Sequence, residues 1–236
     1  MPDVRPLYAV LIDADNIPAR HAAAILKEIT SFGEPALRRV YGDWSAERLR
    51  PWGEQTRSLG LVAHQETANT KGKNASDIGL VIDAMDILHT GRFHGFVLVS
   101  SDSDFTALAN RIREQGLDVI GIGEAKAPES LRNVCNRFIL IENITDEPES
   151  SRGGAKPAGK MKPTEAVPLI LRAMDKIETE DEWYPLGQVG QYVTAENPDF
   201  DTRSYGKRKL SDLVQELKLF ETKRGAGNQM MIRRLD

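Results

Sequence analysis

Acidic side chains stand directly after two apolar segments of the sequence. The segment 7–12 runs into Asp13, and the segment 96–99 is followed closely by Asp102 and Asp104. Short, continuous apolar runs are typical of strands buried on both faces of a parallel sheet, and ligands bind beyond the carboxyl ends of such strands. We therefore expect these three carboxylates to lie at one edge of a parallel sheet.

Asp77 adds a fourth carboxylate to this set. It follows a polar loop and opens a helix that leads into the second acidic strand, so it can reach the same edge. Several carboxylates share a small space only when something positive neutralises them, and oxygen ligands suit hard divalent cations. The four acids predict a site for Mg²⁺ or Mn²⁺, which can activate water and stabilise charge on a phosphate.

Helix capping is the simpler interpretation of the same residues. Asp77, Asp102 and Asn16 all stand where helices are predicted to begin, and Asp, Asn and Ser are preferred N-caps. Capping explains any one of these residues alone, but acids at three separate strand or helix ends are harder to explain in that way. Asp15 and Asp83 need no more than a cap or a solvated face.

Apolar runs alternate with amphipathic segments between residues 7 and 142, which predicts an α/β fold with a parallel sheet and flanking helices. Strands are predicted near 7–12, 36–42, 60–65, 95–100, 117–122 and 137–141, and helices near 18–31, 46–58, 76–89, 104–115 and 128–135. Helical periodicity is clearest in the third of these helices, where one face collects the apolar residues that normally turn to the core. These are Ile78, Val81, Ile82, Met85 and Leu88.

Residues 146–163 contain almost nothing that could be buried and predict a flexible linker. Three short helices and a terminal hairpin follow in 164–236, which suggests a small α+β, winged-helix-like domain. Residues 1–150 hold 16 Lys and Arg against 22 Asp and Glu, whereas 151–236 hold 15 against 13. This difference suggests that one part holds metal and the other a polyanion.

Composition limits the compartment and the chemistry. Cys135 is the only cysteine, which excludes an intramolecular disulfide and a cysteine-based zinc site. The apolar runs are far shorter than the roughly 20 residues that span a bilayer, and no apolar signal region stands at the N-terminus. We expect a cytoplasmic protein without membrane contact.

A polar loop and one aromatic residue are candidates for binding a phosphate backbone. Lys71 and Lys73 precede Asp77 and could guide a phosphate backbone to the acids, although a solvated loop explains them equally well. The loop lacks the glycine spacing of a P-loop. Trp44 follows a predicted strand end on the same edge as the acids, whereas core packing is the better expectation for Trp52 and Trp183.

Four motifs occur in order along the N-terminal part, Ile12–Ile17, Lys71–Ile78, Ser100–Phe105 and Gly116–Gly123. Together they resemble the NYN domain, a family of the PIN-like nuclease superfamily. The resemblance covers about residues 5–145 and implies a Rossmann-like sheet with an acidic, divalent-metal-dependent ribonuclease centre. By this resemblance Asp13, Asp77, Asp102 and Asp104 bind the metal and serve catalysis, with Asn16 as a polar helper.

Three motifs of the C-terminal part lie at 183–187, 197–201 and 203–213. They resemble an OST-HTH, or LOTUS, domain over about residues 164–236. The family implies a winged helix that binds RNA or a protein partner, and Lys207, Arg208 and Lys209 are the candidate contacts to the RNA backbone. The chain thus divides into 1–145, the linker 146–163, and 164–236.

Three functions are compatible with these patterns. The first is a metal-dependent endoribonuclease that cleaves single-stranded RNA presented by the C-terminal domain. The second is a non-catalytic RNA-binding or adaptor protein with a vestigial acidic site. The third is an aspartyl phosphatase of the haloacid dehalogenase type, suggested by the Asp13-Ala14-Asp15 sequence, although the order of the later motifs fits it less well.

Overall fold

A computed structural model of the 236-residue chain describes residues 5–65, 75–145, 160–179 and 181–235. The chain forms two compact units, Met1–Glu147 and Pro148–Asp236. Within the described residues, no helix has both the length and the apolar character that a bilayer span requires.

The first unit is built on a six-stranded sheet in which every strand pair is parallel. The strand order is β3-β2-β1-β4-β5-β6, so the order reverses between β1 and β4. This confirms the predicted α/β class with a parallel central sheet. The strands are β1 (Leu7–Asp13), β2 (Glu34–Gly42), β3 (Val62–Gln65), β4 (Gly95–Val99), β5 (Asp118–Gly123) and β6 (Arg137–Leu140).

Helices cover both faces of this sheet because the central strands are apolar on both sides. In β1, Val10 and Ile12 belong to one core layer, while Ala9 and Leu11 belong to the other. The first layer is closed by α1 and α2, and the second by α3, α4 and α5. The helices are α1 (Ala22–Ile29), α2 (Arg50–Leu59), α3 (Ala75–His89), α4 (Thr106–Glu114) and α5 (Glu129–Val134).

The predicted buried face of α3 is wrong in part. Ile78 and Ile82 are 61% and 59% exposed, whereas Leu80, Ala84 and Ile87 are buried against the sheet. The reason is that α3 carries apolar residues around most of its circumference, so more than one stripe satisfies the three- and four-residue spacing. Packing against β1 and β2 selects the stripe that contains Leu80 and Ala84.

Asp83 does not lie on a solvated face, because the rotation of α3 turns it toward β2. Its carboxylate pairs with the guanidinium of Arg39 and accepts a hydrogen bond from the hydroxyl of Tyr41. Tyr41 is fully buried, and these contacts hold the pKa of Asp83 below its usual range despite the opposing effect of burial. The Asp83–Arg39–Tyr41 cluster therefore fastens the middle of α3 to the sheet.

The described residues of the second unit form three α-helices, α6 (Val167–Asp175), α7 (Leu186–Glu196) and α8 (Leu210–Leu217). A three-stranded antiparallel sheet completes it, with β7 (Tyr184–Pro185), β8 (Phe220–Arg224) and β9 (Met230–Arg234) in the order β7-β9-β8. Its core collects Ile170, Val189, Leu213 and Ile232. This is the predicted small α+β domain of three helices and a terminal hairpin.

Two further sequence expectations concern the linker and the tryptophans. The predicted linker 146–163 lies outside the described residues up to 159, and Pro163 begins a 3₁₀ turn, Pro163–Ala166. The backbone N–H of Met161 donates to the carbonyl of Ser204, 2.9 Å away. Trp183, expected in the core, is instead partly exposed, whereas Trp52 is 1% exposed as expected.

Candidate active site

The acidic site lies at the carboxyl edge of the parallel sheet. Strand β1 ends at Asp13, and its neighbour β4 pairs Val99 with Ile12, so the residue after Val99, Ser100, stands beside Asp13. The strand order reverses between these two strands, which is the position where open α/β sheets form their ligand crevice. The topology therefore places Asp13 and Ser100 at the start of that crevice.

Asp13 is buried and held by hydrogen bonds on both carboxylate oxygens. Its Oδ2 accepts from the hydroxyl of Ser100 at 2.8 Å, and its Oδ1 accepts from the backbone N–H groups of Asp15 and Asn16 at 3.1 and 3.2 Å. Only 3% of the residue is exposed. Burial, opposed by the bond from Ser100 and reinforced by the charge of Asp77, raises the pKa of Asp13 to about 6.

Asp77 lies in the first turn of α3, partly buried. Burial raises its pKa, and the negative charges of Asp102, Asp104 and Asp15 raise it further. Together with the effect of Asp77 on Asp13, these repulsions show that the acids share one electrostatic environment. Such a site gains stability from a bound cation.

Asp102 and Asp104 lie just beyond the end of β4. Oδ1 of Asp102 accepts the backbone N–H of Asp104 at 3.0 Å and caps the 3₁₀ turn Ser103–Phe105. The backbone N–H of Asp102 donates in turn to Oγ of Ser100 at 3.1 Å. Asp102 is partly buried and Asp104 is exposed. The expected capping role of Asp102 is therefore real, and it engages one of the two carboxylate oxygens.

Asn16 joins the two acidic segments. Its Oδ1 accepts the backbone N–H of Ser101 at 3.1 Å, which links the end of β1 to the end of β4. The hydroxyl of Ser101 accepts the N–H of Glu124, after β5, at 2.8 Å. Ser100 and Ser101 thus connect the segments at this edge of the sheet. The sequence patterns predicted no role for Ser100. The available signal was its position directly after the apolar run of β4.

The carboxylate of Asp15 connects two other elements. Its Oδ1 pairs with the guanidinium of Arg48 at 2.6 Å, and its Oδ2 accepts the hydroxyl of Ser76 at 2.8 Å. Ser76 immediately precedes Asp77 in α3. Asp15 therefore helps to fix the start of α3, and with it the backbone of Asp77.

The remaining sequence candidates have different surroundings. Trp44 is partly buried after β2, and its indole N–H donates to the carbonyl of His64 at 2.8 Å. Lys71 and Lys73 lie outside the described residues. In the second unit, Lys207 forms an ion pair with Glu216. Arg208 and Lys209, just before α8, are exposed.

The donor set fits a hard divalent cation by its chemistry, because it consists of carboxylate oxygens whose neighbouring negative charges raise the pKa values of Asp13 and Asp77. Its side chains are not gathered around one point, however. Among the described residues, no three Asp, Glu, His or Cys side chains are arranged to hold one ion.

Comparison with family models identifies a known domain in the first unit. A family model described as NYN domain matches residues 8–142. The chain belongs to the NYN domain family. NYN domains belong to the PIN-like nuclease superfamily, so the resemblance read from the sequence is confirmed.

The NYN domain is followed by a second family match, an OST-HTH/LOTUS domain at residues 161–232. This also agrees with the sequence, and OST-HTH domains are associated with RNA binding. The second unit is therefore the OST-HTH domain of this NYN protein.

Two solved structures similar to this NYN protein are of proteins without an assigned function. A crystal structure of a protein of unknown function from Vibrio parahaemolyticus is 20% identical, with a TM-score of 0.51, and the match covers 62% of this chain and 97% of that one. A solution structure of an uncharacterized protein from Nitrosomonas europaea is 28% identical, with a TM-score of 0.28, over 39% of this chain and 88% of that one. No curated protein matches the chain. The similarity to the Vibrio parahaemolyticus structure shows the fold alone.

Proposed function

We propose that the chain is a divalent-metal-dependent endoribonuclease whose active site is the carboxyl edge of the NYN sheet. The observation that carries the proposal is the buried carboxyl of Asp13 facing the negative charge of Asp77. A buried carboxylate next to another negative charge lowers the stability of the fold. Groups whose pKa is perturbed in this way are common in active sites. Membership of a nuclease superfamily gives this site its reaction class.

Asp13, Asp77, Asp102 and Asp104 are the residues that would hold Mg²⁺ or Mn²⁺. Such a cation would lower the pKa of a bound water and stabilise the negative charge that develops on a phosphodiester. The chain itself fixes these carboxylates: Ser100 and two backbone N–H groups hold Asp13, and capping of the turn after β4 holds Asp102. Asn16 keeps the two acidic segments together through Ser101.

RNA binding is assigned to groups on both domains. Lys71, Lys73 and Trp44 belong to the NYN domain and would guide the backbone to the acids. Arg208 and Lys209 of the OST-HTH domain are exposed and available to phosphates, while Lys207 would first have to leave Glu216. Single-stranded RNA is the expected substrate.

Cleavage assays with a matched variant test the proposal. Labelled single-stranded and duplex RNA and DNA are incubated with the wild-type chain, with Asp13→Asn and with Asp86→Asn, in Mn²⁺ or in excess EDTA. Asp86 lies on α3 and is exposed, so its substitution controls for the loss of one negative charge. We expect cleavage of RNA by the wild type and by Asp86→Asn in Mn²⁺ only. Equal cleavage by Asp13→Asn, or full activity in EDTA, would refute the proposal.

A non-catalytic RNA-binding protein is the second candidate. The observation in its favour is that no three acids among the described residues are arranged around one ion. It predicts RNA binding without turnover in Mg²⁺ or Mn²⁺. The phosphatase interpretation of Asp13 and Asp15 is set aside, because the chain belongs to the NYN family and Asp15 is paired with Arg48.

A further inference from the structure

The three-stranded sheet of the OST-HTH domain has an outer face that does not contact the core. Side chains alternate between the two faces of a strand, and Ile232, at the centre of β9, is fully buried. Its neighbours Met231 and Arg233 must therefore point outward. Pairing between the strands places further residues on the same side. We define the outer face as Trp183, Pro185, Glu221, Lys223, Met231 and Arg233.

Trp183 is the aromatic residue of the outer face. Its side chain is partly exposed, and two cations lie over its ring: Nζ of Lys223 at 3.9 Å from the ring centroid and Cζ of Arg233 at 4.9 Å. Both cations come from the hairpin of β8 and β9. An indole that stays outside the core and gathers cations combines the two groups that bind single-stranded nucleic acid, a stacking surface and positive charge.

The two cations differ in how their charge is balanced. Arg233 forms ion pairs with Glu182 and with Glu221. Lys223 is exposed and has no carboxylate partner among the described residues. The segment 220–235 holds four basic residues against one acid. Lys223 is therefore the charge on the outer face that remains available for an anion.

We propose that the outer face binds single-stranded RNA, with a base stacked on Trp183 and a neighbouring phosphate contacted by Lys223. This deepens the proposed function and rests on its assignment of RNA as the ligand. The ammonium of Lys223 moves from the indole to the phosphate, which uncovers the ring. The exchange is favourable because stacking of a base on an aromatic ring is stronger than an exposed cation–π contact.

The geometry favours a single strand over a duplex. Bases of a duplex are stacked on one another and cannot reach Trp183, whereas unpaired bases can. The aromatic ring also distinguishes the outer face from Arg208 and Lys209. These two residues stand before α8 with no aromatic partner among the described residues. Those residues can add phosphate contacts but offer no surface for a base.

Equilibrium binding of the full chain to labelled RNA tests the proposal. Fluorescence anisotropy is measured in excess EDTA, so that cleavage does not interfere, with an unstructured single strand and with a duplex. Trp183→Ala should weaken binding of the single strand by about 5- to 150-fold and leave the duplex almost unaffected. Trp183→Phe keeps a smaller stacking surface and should lose less. Lys223→Gln should lower the slope of log K against log salt by about 0.7.

Controls separate this effect from loss of folding. Leu219→Ala removes another exposed apolar side chain of the same domain and should bind RNA like the wild type. Thermal unfolding shows whether each variant is folded. If Trp183→Ala fails to fold, Lys223→Gln still tests the proposal, because Lys223 is exposed and outside the core. The double variant Arg208→Gln/Lys209→Gln tests the competing surface.

The proposal is overturned if Trp183→Ala and Lys223→Gln bind the single strand like the wild type, with the same salt dependence. It is equally overturned if only the Arg208/Lys209 variant loses affinity, or if the outer-face variants lose a protein partner and not RNA. Its failure is distinct from failure of the proposed function. A chain that needs Trp183 for RNA binding but never cleaves in Mn²⁺ refutes the nuclease alone, and cleavage that needs Asp13 but not Trp183 refutes the outer face alone.

Discussion

The hydroxyl of Ser100 donates a hydrogen bond to Oδ2 of Asp13 across the β1–β4 strand pair, at 2.8 Å. The same oxygen of Ser100 accepts the backbone N–H of Asp102 at 3.1 Å. One buried hydroxyl therefore holds the carboxylate of Asp13 in the first acidic segment and the backbone of Asp102 in the second. Ser100 is 3% exposed, so water cannot take over these contacts.

Ser100→Ala should disturb the site without removing an acid. The pKa of Asp13 should rise further, because the hydrogen bond that opposes the effect of burial is lost. We expect a loss of about 1–2 kcal/mol in the free energy of unfolding and a fall of about 10- to 100-fold in cleavage rate or Mn²⁺ affinity. Denaturant unfolding and cleavage assays measure both, with the exposed Ser103→Ala as control. Equal activity of the two variants would show that Ser100 does not position Asp13.

Asp13→Asn should stabilise the metal-free fold near neutral pH. Folded Asp13 titrates near pH 6, above its usual value of 3.8, so the folded state binds the proton more tightly than the unfolded state. The free energy of unfolding of the wild type should therefore fall as the pH rises between these two values. The variant carries no such penalty and should be more stable by about 1–3 kcal/mol at about pH 7. Urea titrations in EDTA test this, and the difference should disappear near pH 4.

Addition of Mn²⁺ should reverse the order of these two proteins. A ligand that binds only the folded state stabilises it, by about 2.7 kcal/mol at a free concentration of 100 times the dissociation constant. The melting temperature of the wild type should rise with Mn²⁺ or Mg²⁺, and that of Asp13→Asn should change little. Scanning calorimetry provides a readout that does not depend on cleavage. An identical rise in both proteins would place the cation elsewhere.

Asp83→Asn should weaken the attachment of α3 to the sheet. The variant loses the ion pair with Arg39, and we expect about 1–2 kcal/mol less stability at neutral pH, a value reduced by the partial exposure of the pair. The pKa of Asp83 is lowered in the fold, so its contribution is present above pH 3.8 and is lost as the pH falls through the folded value. Urea unfolding at neutral and acidic pH measures this. Asp86→Asn, one turn away and exposed, should be neutral.

Gly123→Ala should strain the site through the backbone. A Cβ at this position would lie 2.6 Å from the carbonyl oxygen of Ser100 and 3.0 Å from Oγ of Ser101. We expect about 1–3 kcal/mol of destabilisation from overpacking, together with reduced cleavage. Gly53→Ala is the matched control, because its Cβ would meet nothing within 4 Å and α2 should gain about 0.5–1 kcal/mol. Thermal unfolding measures both changes, with a lower melting temperature expected for Gly123→Ala and a higher one for Gly53→Ala. Equal melting temperatures would contradict the close contact.

The apolar runs predicted the strands and the α/β class, because strands such as β1 and β4 are buried on both faces and can be read from composition alone. The rotation of α3 could not be predicted, since Ile78 and Leu80 are equally apolar and only contact with the sheet decides between them. The error concerning Asp83 has the same origin, because it depends on which side of α3 faces Arg39.

The candidate site was predictable to the level of the strand ends. Three acidic segments could be brought to one edge from topology rules, but hydrogen bonds such as Ser100 to Asp13 depend on the register between β1 and β4, which the sequence does not specify. Trp183 was expected in the core because its basic partners, Lys223 and Arg233, stand at least 40 residues away in the chain.

Capping and metal binding were competing interpretations of the acids, yet a carboxylate oxygen that accepts a hydrogen bond keeps a further lone pair for a cation. Oδ1 of Asp102 accepts the N–H of Asp104, and Oδ1 of Asp13 accepts two further backbone N–H groups. These hydrogen bonds fix the side chains when the protein folds, so the entropic cost of ordering them is part of the cost of forming the turns. A cation that binds here would order little more of the protein, so the caps themselves lower the entropic cost of assembling the site.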